Sequence, residues 1–319
     1  MRYFVTGATG FIGKVVARQL RDAGHEVTAL VRDPNQAGGL AALGANLARG
    51  DVTAKDTLRE PMRGVDGVFH IAGWYKVGVK DKRDGVRVNV EGTRNVLETM
   101  QELGVPKGVY TSTLAVFGDT RGKIPDETYR TDGPWLSEYD RTKWVAHYEV
   151  AEPMIRRGLP LVIVQPGLVY GPGSNGPERD TFVRLLQGKL RAVPRRSAFC
   201  WGHVEDIARG HLLAMEKGRP GESYIIAGPP HPLTEVMALT ARIAGRKPPL
   251  AISPALVKFL ASLTRSEYLR VAAGVTYLGS NAKARREWGY QPRPIGRGIR
   301  ELLAYEMKLL LTSSGRGQA

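Results

Sequence analysis

A single cysteine, Cys200, in 319 residues leaves no partner for an intramolecular disulfide and excludes a disulfide scaffold. No apolar run approaches bilayer-spanning length, and Met1 leads directly into a β-rich run, so neither a membrane span nor a signal peptide is expected. Internal repeats and nucleic-acid motifs are missing, and no metal is called for. Acidic residues are in deficit, 31 against 46 basic ones, for a net charge of +15. The basic residues are scattered, with local clusters only at Lys76 to Arg83 and at Arg195-Arg196. That distribution describes a solvated basic surface able to draw in an anionic cofactor or substrate, with no nucleic-acid and no membrane partner. The cytoplasm is the expected location.

What is present begins at the N-terminus. A short β-rich run, Arg2 to Thr6, is followed by Gly7-Ala8-Thr9-Gly10-Phe11-Ile12-Gly13 and then by apolar residues at helical spacing from Lys14 to Leu20. Strand, glycine turn and helix in that order suit a dinucleotide. Glycines allow the backbone to approach the pyrophosphate, whose charge sits against the free N–H groups of the helix start. The spacing is GxxGxxG, and it departs from the more common GxGxxG fingerprint.

The second strand, His25 to Arg32, bears on the choice of cofactor. A site that prefers NAD usually ends this strand with an acidic residue for the ribose 2′-hydroxyl, and here Val31 and Arg32 stand in its place. A guanidinium suits a 2′-phosphate. NADP(H) is therefore expected, with NAD(H) as the alternative, although Asp33 follows and Arg32 also reads as a solvated strand-end charge.

Further along, extended runs near 47–49, 67–71, 108–112 and 161–164 alternate with helical patterns over 54–62, 86–103 and 137–157. Alternation of this kind predicts an α/β fold with a Rossmann-type, doubly wound parallel sheet and a smaller C-terminal α/β substrate domain. Residues 1–170 plus about 201–227 would form the dinucleotide-binding domain, and about 171–200 plus 228–310 the substrate domain. The loop at 171–177 marks the transition, 202–227 reads as a helix and strand returning to the main sheet, and 312–319 reads as a frayed tail.

Chemistry enters at Tyr139-Asp140-Arg141-Thr142-Lys143. Moving a hydride to or from a carbinol carbon requires a proton to move at its oxygen. A phenol can carry that proton when an ammonium beside it favours the phenolate, and Tyr139 and Lys143 share one helical face at i, i+4. Thr111-Ser112-Thr113 ends a strand where open α/β sheets hold ligands, and a hydroxyl there could hold the substrate oxygen.

Taken together, the chain resembles the extended short-chain dehydrogenase/reductase family, also described as the NAD-dependent epimerase/dehydratase superfamily. The ordered motifs are 6–13, Gly50-Asp51-Val52, His70-Ile71-Ala72-Gly73, 88–93, 111–118, 139–143, Gln165-Pro166-Gly167 with 169–172, and His203-Val204-Glu205-Asp206. The resemblance implies a cofactor site built from Gly7, Thr9, Gly10, Phe11, Ile12 and Gly13 at the pyrophosphate, Arg32, and Asp51 with Val52 at the adenine. It further implies Ala72, Gly73 and Pro166 beside the nicotinamide end, with Tyr139 and Lys143 completing the site. In register with Gly118, the family's catalytic serine falls on Thr113, with Ser112 as the alternative. Asn89 matches a family asparagine whose role is either structural or functional.

The family includes epimerases and dehydratases as well as reductases. Its sugar-nucleotide members carry an arginine four residues before the histidine of the His-Val-x-Asp motif, and here that slot holds Phe199. With Trp74, Tyr75, Trp135 and Trp201 it suggests an apolar or aromatic carbonyl or alcohol substrate. The stretch 210–218 looks most like the dihydroflavonol-reductase-like and hopanoid-associated epimerase-like branches. Two alternatives stay open: a nucleotide-sugar epimerase/dehydratase holding phosphate on Arg195 and Arg196 or on the 76–83 cluster, and a non-enzymatic NAD(P)-sensing protein. A homodimer through the helices at 86–103 and 137–157 is expected, with Val90, Val96, Leu97 and Met100 as the apolar residues available to it.

Overall fold

The computed structural model describes residues 1–76, 81–264 and 273–315. In chain order the strands are β1 (Arg2–Thr6), β2 (Glu26–Val31), β3 (Asn46–Arg49), β4 (Gly67–His70), β5 (Gly108–Thr111), β6 (Leu161–Pro166), β7 (Leu168–Tyr170), β8 (Ala192–Pro194), β9 (Ala198–His203), β10 (Ser223–Ile226), β11 (Pro230–Pro232), β12 (Leu250–Ile252) and β13 (Thr276–Tyr277). Seven of them form one parallel sheet in the order β10-β6-β5-β4-β1-β2-β3.

The central strands read as near-continuous apolar runs because both faces are covered. Val5, Phe69, Val109 and Val164 point to the layer that contains helices Phe11–Asp22 and Val204–Lys217. Their neighbours Phe4, Val68, Tyr110 and Ile163 point to the layer that contains helix Gly92–Glu102. The strand order reverses between β1 and β4, opening a crevice at their carboxyl ends.

A second, smaller sheet joins β11, β9 and β13, with β7 also pairing to β9, and β8 pairs with β12 in a separate ribbon. Its core is built on Tyr170, Phe182, Trp201 and Met237. The return to the large sheet runs through helix Val204–Lys217 to β10, so residues 201–203 lie on the small-sheet side of that crossing.

Local differences from the sequence pattern have local causes. The helix expected over 54–62 is two short pieces, Lys55–Thr57 and Arg59–Met62, in a segment where Pro61 has no N–H to extend the ladder. The helices at 86–103 and 137–157 each contain a wider π-helical stretch, Gly85–Glu91 and Val145–Ala151. The tail expected to fray from Thr312 is helical as far as Gly315, continuing helix Ile295–Gly315, while 316–319 lie outside the described residues. Residues 77–80 of the basic cluster also lie outside them. Among the described residues no helix is long and apolar enough to cross a membrane.

The dimer expectation loses its residue-level motivation. Val96, Leu97 and Met100 are fully buried against the chain's own sheet, and Val90 packs on the edge of the same cluster.

The His203-Val204-Glu205-Asp206 motif is a structural lock. His203 Nδ1 accepts from Glu205 N and caps the helix, while Asp206 receives Arg293 Nε and Nη2, each at 2.9 Å. Glu301 receives the remaining Arg293 nitrogen. Replacing Arg293 with Met should strand a mostly buried carboxylate and cost about 3 kcal/mol of stability. A lower urea midpoint at unchanged slope is the expected reading.

Candidate active site

The glycine turn lies in the crevice where the strand order reverses. Gly7 has φ +72°, and a Cβ there would stand 2.6 Å from Ala72 N at the end of β4. Gly10 N donates to Gly7 O at 2.9 Å, and a Cβ on Gly13 would run into that same carbonyl. Only glycine fits at 7 and 13, for reasons of φ and of close approach respectively. The helix Phe11–Asp22 opens on Gly10 without a side-chain cap and without an acidic residue in its first turn. The N–H groups of Phe11, Ile12 and Gly13, which no earlier turn can accept, are thus available to an anion beside exposed Thr9. This donor set fits a dinucleotide pyrophosphate.

Arg32 stands exposed one residue beyond β2. The carboxylate of Asp33 is engaged in its own turn, accepting Asn35 N at 3.0 Å and Gln36 Nε2 at 2.9 Å. Asp51, after β3, accepts Thr53 N and Oγ1, and Val52 is buried against Gly92. The backbone of Ala72 is held by Thr6 Oγ1 at 3.2 Å, Gly73 follows it, and Pro166 ends β6.

Ser137 caps the helix Glu138–Trp144, accepting Asp140 N at 3.2 Å. This helix places Tyr139 near Thr113, whose hydroxyl acts to lower the pKa of the phenol. Ser112 turns the other way and meets buried His147 Nδ1 at 2.7 Å. The alternation of a strand separates the two hydroxyls, and Thr113 is the one that reaches Tyr139. Burial pushes the Tyr139 phenol up to about 12, with Thr113 working against it, so at neutral pH it carries its proton.

Lys143 lies one turn on and is buried. Its ammonium donates to Thr111 O at 2.7 Å and to Tyr110 Oη at 3.2 Å, above whose ring it sits. Burial alone brings it down to about 7. The Nζ is turned toward β5, to the Thr111 carbonyl and the Tyr110 hydroxyl. Behind it runs a polar chain that sequence reasoning missed: the His70 ring stacks on Tyr110, Thr93 Oγ1 meets His70 Nε2 at 3.0 Å, and His70 Nδ1 meets Thr6 Oγ1 at 2.8 Å. Burial and then Lys143 hold His70 neutral, down at about 3. His70 and Thr93 stood inside quoted motifs; nothing in one dimension joined them.

Asn89 is a structural tie. Its Oδ1 accepts Trp74 N at 2.7 Å, and its Nδ2 donates to Trp74 O and to Thr142 Oγ1.

The aromatic residues part company. Tyr75 is exposed and meets Tyr139 edge-on at 4.8 Å between ring centroids. Phe199 stacks on Tyr277 at 6.2 Å, and Tyr277 Oη donates to Asp140 Oδ2 at 2.8 Å, joining the small sheet to helix Glu138–Trp144. Trp74 is buried beside Asn89, Trp135 packs on Trp144, and Trp201 lies in the small-sheet core with its indole N–H given to His231 O. Tyr277, also missed, carries no motif; only the pairing of β13 with β9 brings it here.

Residues 3–227 match the NAD dependent epimerase/dehydratase family. The chain is 30% identical to sterol demethylase protein B of Methylococcus capsulatus, over 92% of this chain and 94% of that one. It is 31% identical to cinnamoyl-CoA reductase 1 of Oryza sativa subsp. japonica, over 77% of each. Among solved structures, gox2253 superposes with a TM-score of 0.85 at 32% identity, covering 96% of this chain and 98% of that chain.

Proposed function

This chain belongs to the NAD dependent epimerase/dehydratase family, a family of NAD(P)-dependent enzymes, and on that footing we propose that it reduces an apolar or aromatic carbonyl compound with NADPH. The observation that carries the reading is the contact of Tyr75 with Tyr139, an aromatic ring presented at a phenol that is protonated at neutral pH. A protonated phenol is the form that donates, which favours the reductive direction.

In this reading Tyr139 Oη gives its proton to the carbonyl oxygen, Thr113 Oγ1 holds that oxygen, and Lys143 binds the nicotinamide ribose. A dinucleotide held at this site would supply the hydride for the carbonyl carbon. The large-sheet part, residues 1–167 with 204–227, would hold the cofactor, and the small-sheet part, 168–203 with 228–310, the substrate. The test is NADPH consumption over a panel of aromatic and aliphatic ketones, run beside UDP-sugar binding followed by thermal shift. Sugar-nucleotide stabilisation without ketone turnover would favour the epimerase alternative, and dinucleotide binding without either would favour a sensor.

The cofactor preference is proposed from Arg32, freed from competition by the engagement of Asp33. Arg32→Ala should weaken NADPH by about 1.5 to 3 kcal/mol, the value of hydrogen bonds to a charged group, and leave NADH nearly unchanged. Equal dissociation constants for the two cofactors in the unaltered protein would refute it. The homodimer is proposed from family likeness alone, and light scattering at micromolar concentration is expected to return twice the chain mass.

A further inference from the structure

We infer that helix Pro254–Thr264 and the basic ribbon beside it dock on an anionic lipid surface. One side of this helix is committed to the fold, for Val257 and Ala261, one turn apart, are buried. At about 100° per residue, Leu256, Phe259 and Leu263 fall within roughly 60° of one another, on the side away from those two. They are 47%, 59% and 67% exposed, and Leu250, just before the helix, is 72% exposed. A surface helix normally turns polar residues outward, whereas this one turns outward a second apolar stripe.

The surroundings say what chemistry would cover it. The β8–β12 ribbon leads into the helix: Arg195 N donates to Ile252 O, and Arg195 Nη2 reaches Ala251 O. Segments 187–197 and 244–264, which supply the ribbon and the helix, hold seven basic residues and no acidic one. Arg191, Arg196, Lys247 and Lys258 are exposed. An outward apolar stripe accompanied by cations matches the boundary between acyl chains and anionic headgroups. An in-plane helix needs no spanning length, so the absence of a long apolar run, which set the membrane aside in the sequence, does not bear on this mode. The same ribbon gives Arg195 and Arg196 a role other than holding a sugar diphosphate.

The test uses the full chain and does not read turnover, so it stands apart from the proposed reaction. Co-sedimentation is measured with phosphatidylcholine vesicles, with and without about one third phosphatidylglycerol, at low and high salt. Binding is expected only to the anionic vesicles and should weaken with salt. Phe259→Ser with Leu263→Ser, and separately Arg196→Gln with Lys247→Gln and Lys258→Gln, should each lower the partition coefficient about tenfold or more, with thermal midpoints unchanged. Failure to bind anionic vesicles overturns the inference, as does equal binding by parent and variants. It is also overturned if the apolar double variant abolishes self-association of a parent that ignores vesicles, since the stripe would then meet a second copy.

Discussion

Tyr139→Phe is expected to lower turnover of a carbonyl substrate by roughly 10²- to 10⁴-fold, the usual contribution of general acid–base catalysis, while NADPH affinity stays nearly unchanged. The substitution removes one oxygen from a ring that touches Tyr75 edge-on and so leaves the packing intact. What it deletes is the hydroxyl that lies near Thr113. Because burial holds the phenol up at about 12, reduction by the parent should not decline through the neutral range on account of this group. A folded variant with near-parental turnover would eliminate Tyr139 as the proton donor.

The second large effect is on Lys143, where Lys143→Met should impair both turnover and cofactor binding. Loss of a charged hydrogen-bond donor predicts a weakening of NADPH by about 10- to 100-fold. Turnover should fall into the same range as in Tyr139→Phe, and the double variant should be little worse than either single one, because groups acting as a unit are not additive. Stability should move the other way. The folded-state value of Lys143, about 7, lies below the unfolded one, so above about pH 7 the unfolded chain holds more protons and stability rises with pH toward the ordinary lysine range. The uncharged thioether introduced by Lys143→Met would abolish this component of the rise and relieve the cost of a buried cation at neutral pH. Urea titrations of both proteins at neutral and at alkaline pH measure the difference. A variant that binds NADPH like the parent would remove Lys143 from the cofactor site.

Much of this was legible in one dimension because it depends on neighbours in sequence. Short, near-continuous apolar runs and the period-3.6 pattern mark the strands and helices of the large sheet, since both faces of each central strand are covered. The glycine turn is readable because its constraint is steric and local: φ is positive at Gly7, and Gly13 must pass close to the carbonyl of Gly7. Tyr139 and Lys143 are readable because a single helix sets their separation.

The large sheet, the cofactor turn and the spacing of the phenol and ammonium thus follow from residue order alone, each a matter of local backbone geometry and side-chain period. The remainder depended on contacts between distant segments. Strand pleat sent Thr113 to Tyr139 and Ser112 to His147, a choice that residue type left open. Adjacency of β1, β4 and β5 assembled the chain of Thr6, His70 and Thr93, with Tyr110 stacked on His70 and bonded to Lys143. Packing divided the aromatic residues, leaving Tyr75 at the phenol and sinking Trp201 into the small-sheet core, because burial depends on what the fold brings against a ring. The outward apolar stripe at Leu256, Phe259 and Leu263 likewise emerged only once Val257 and Ala261 had taken the inward side, for a helix rich in apolar residues all round does not announce which face it will bury.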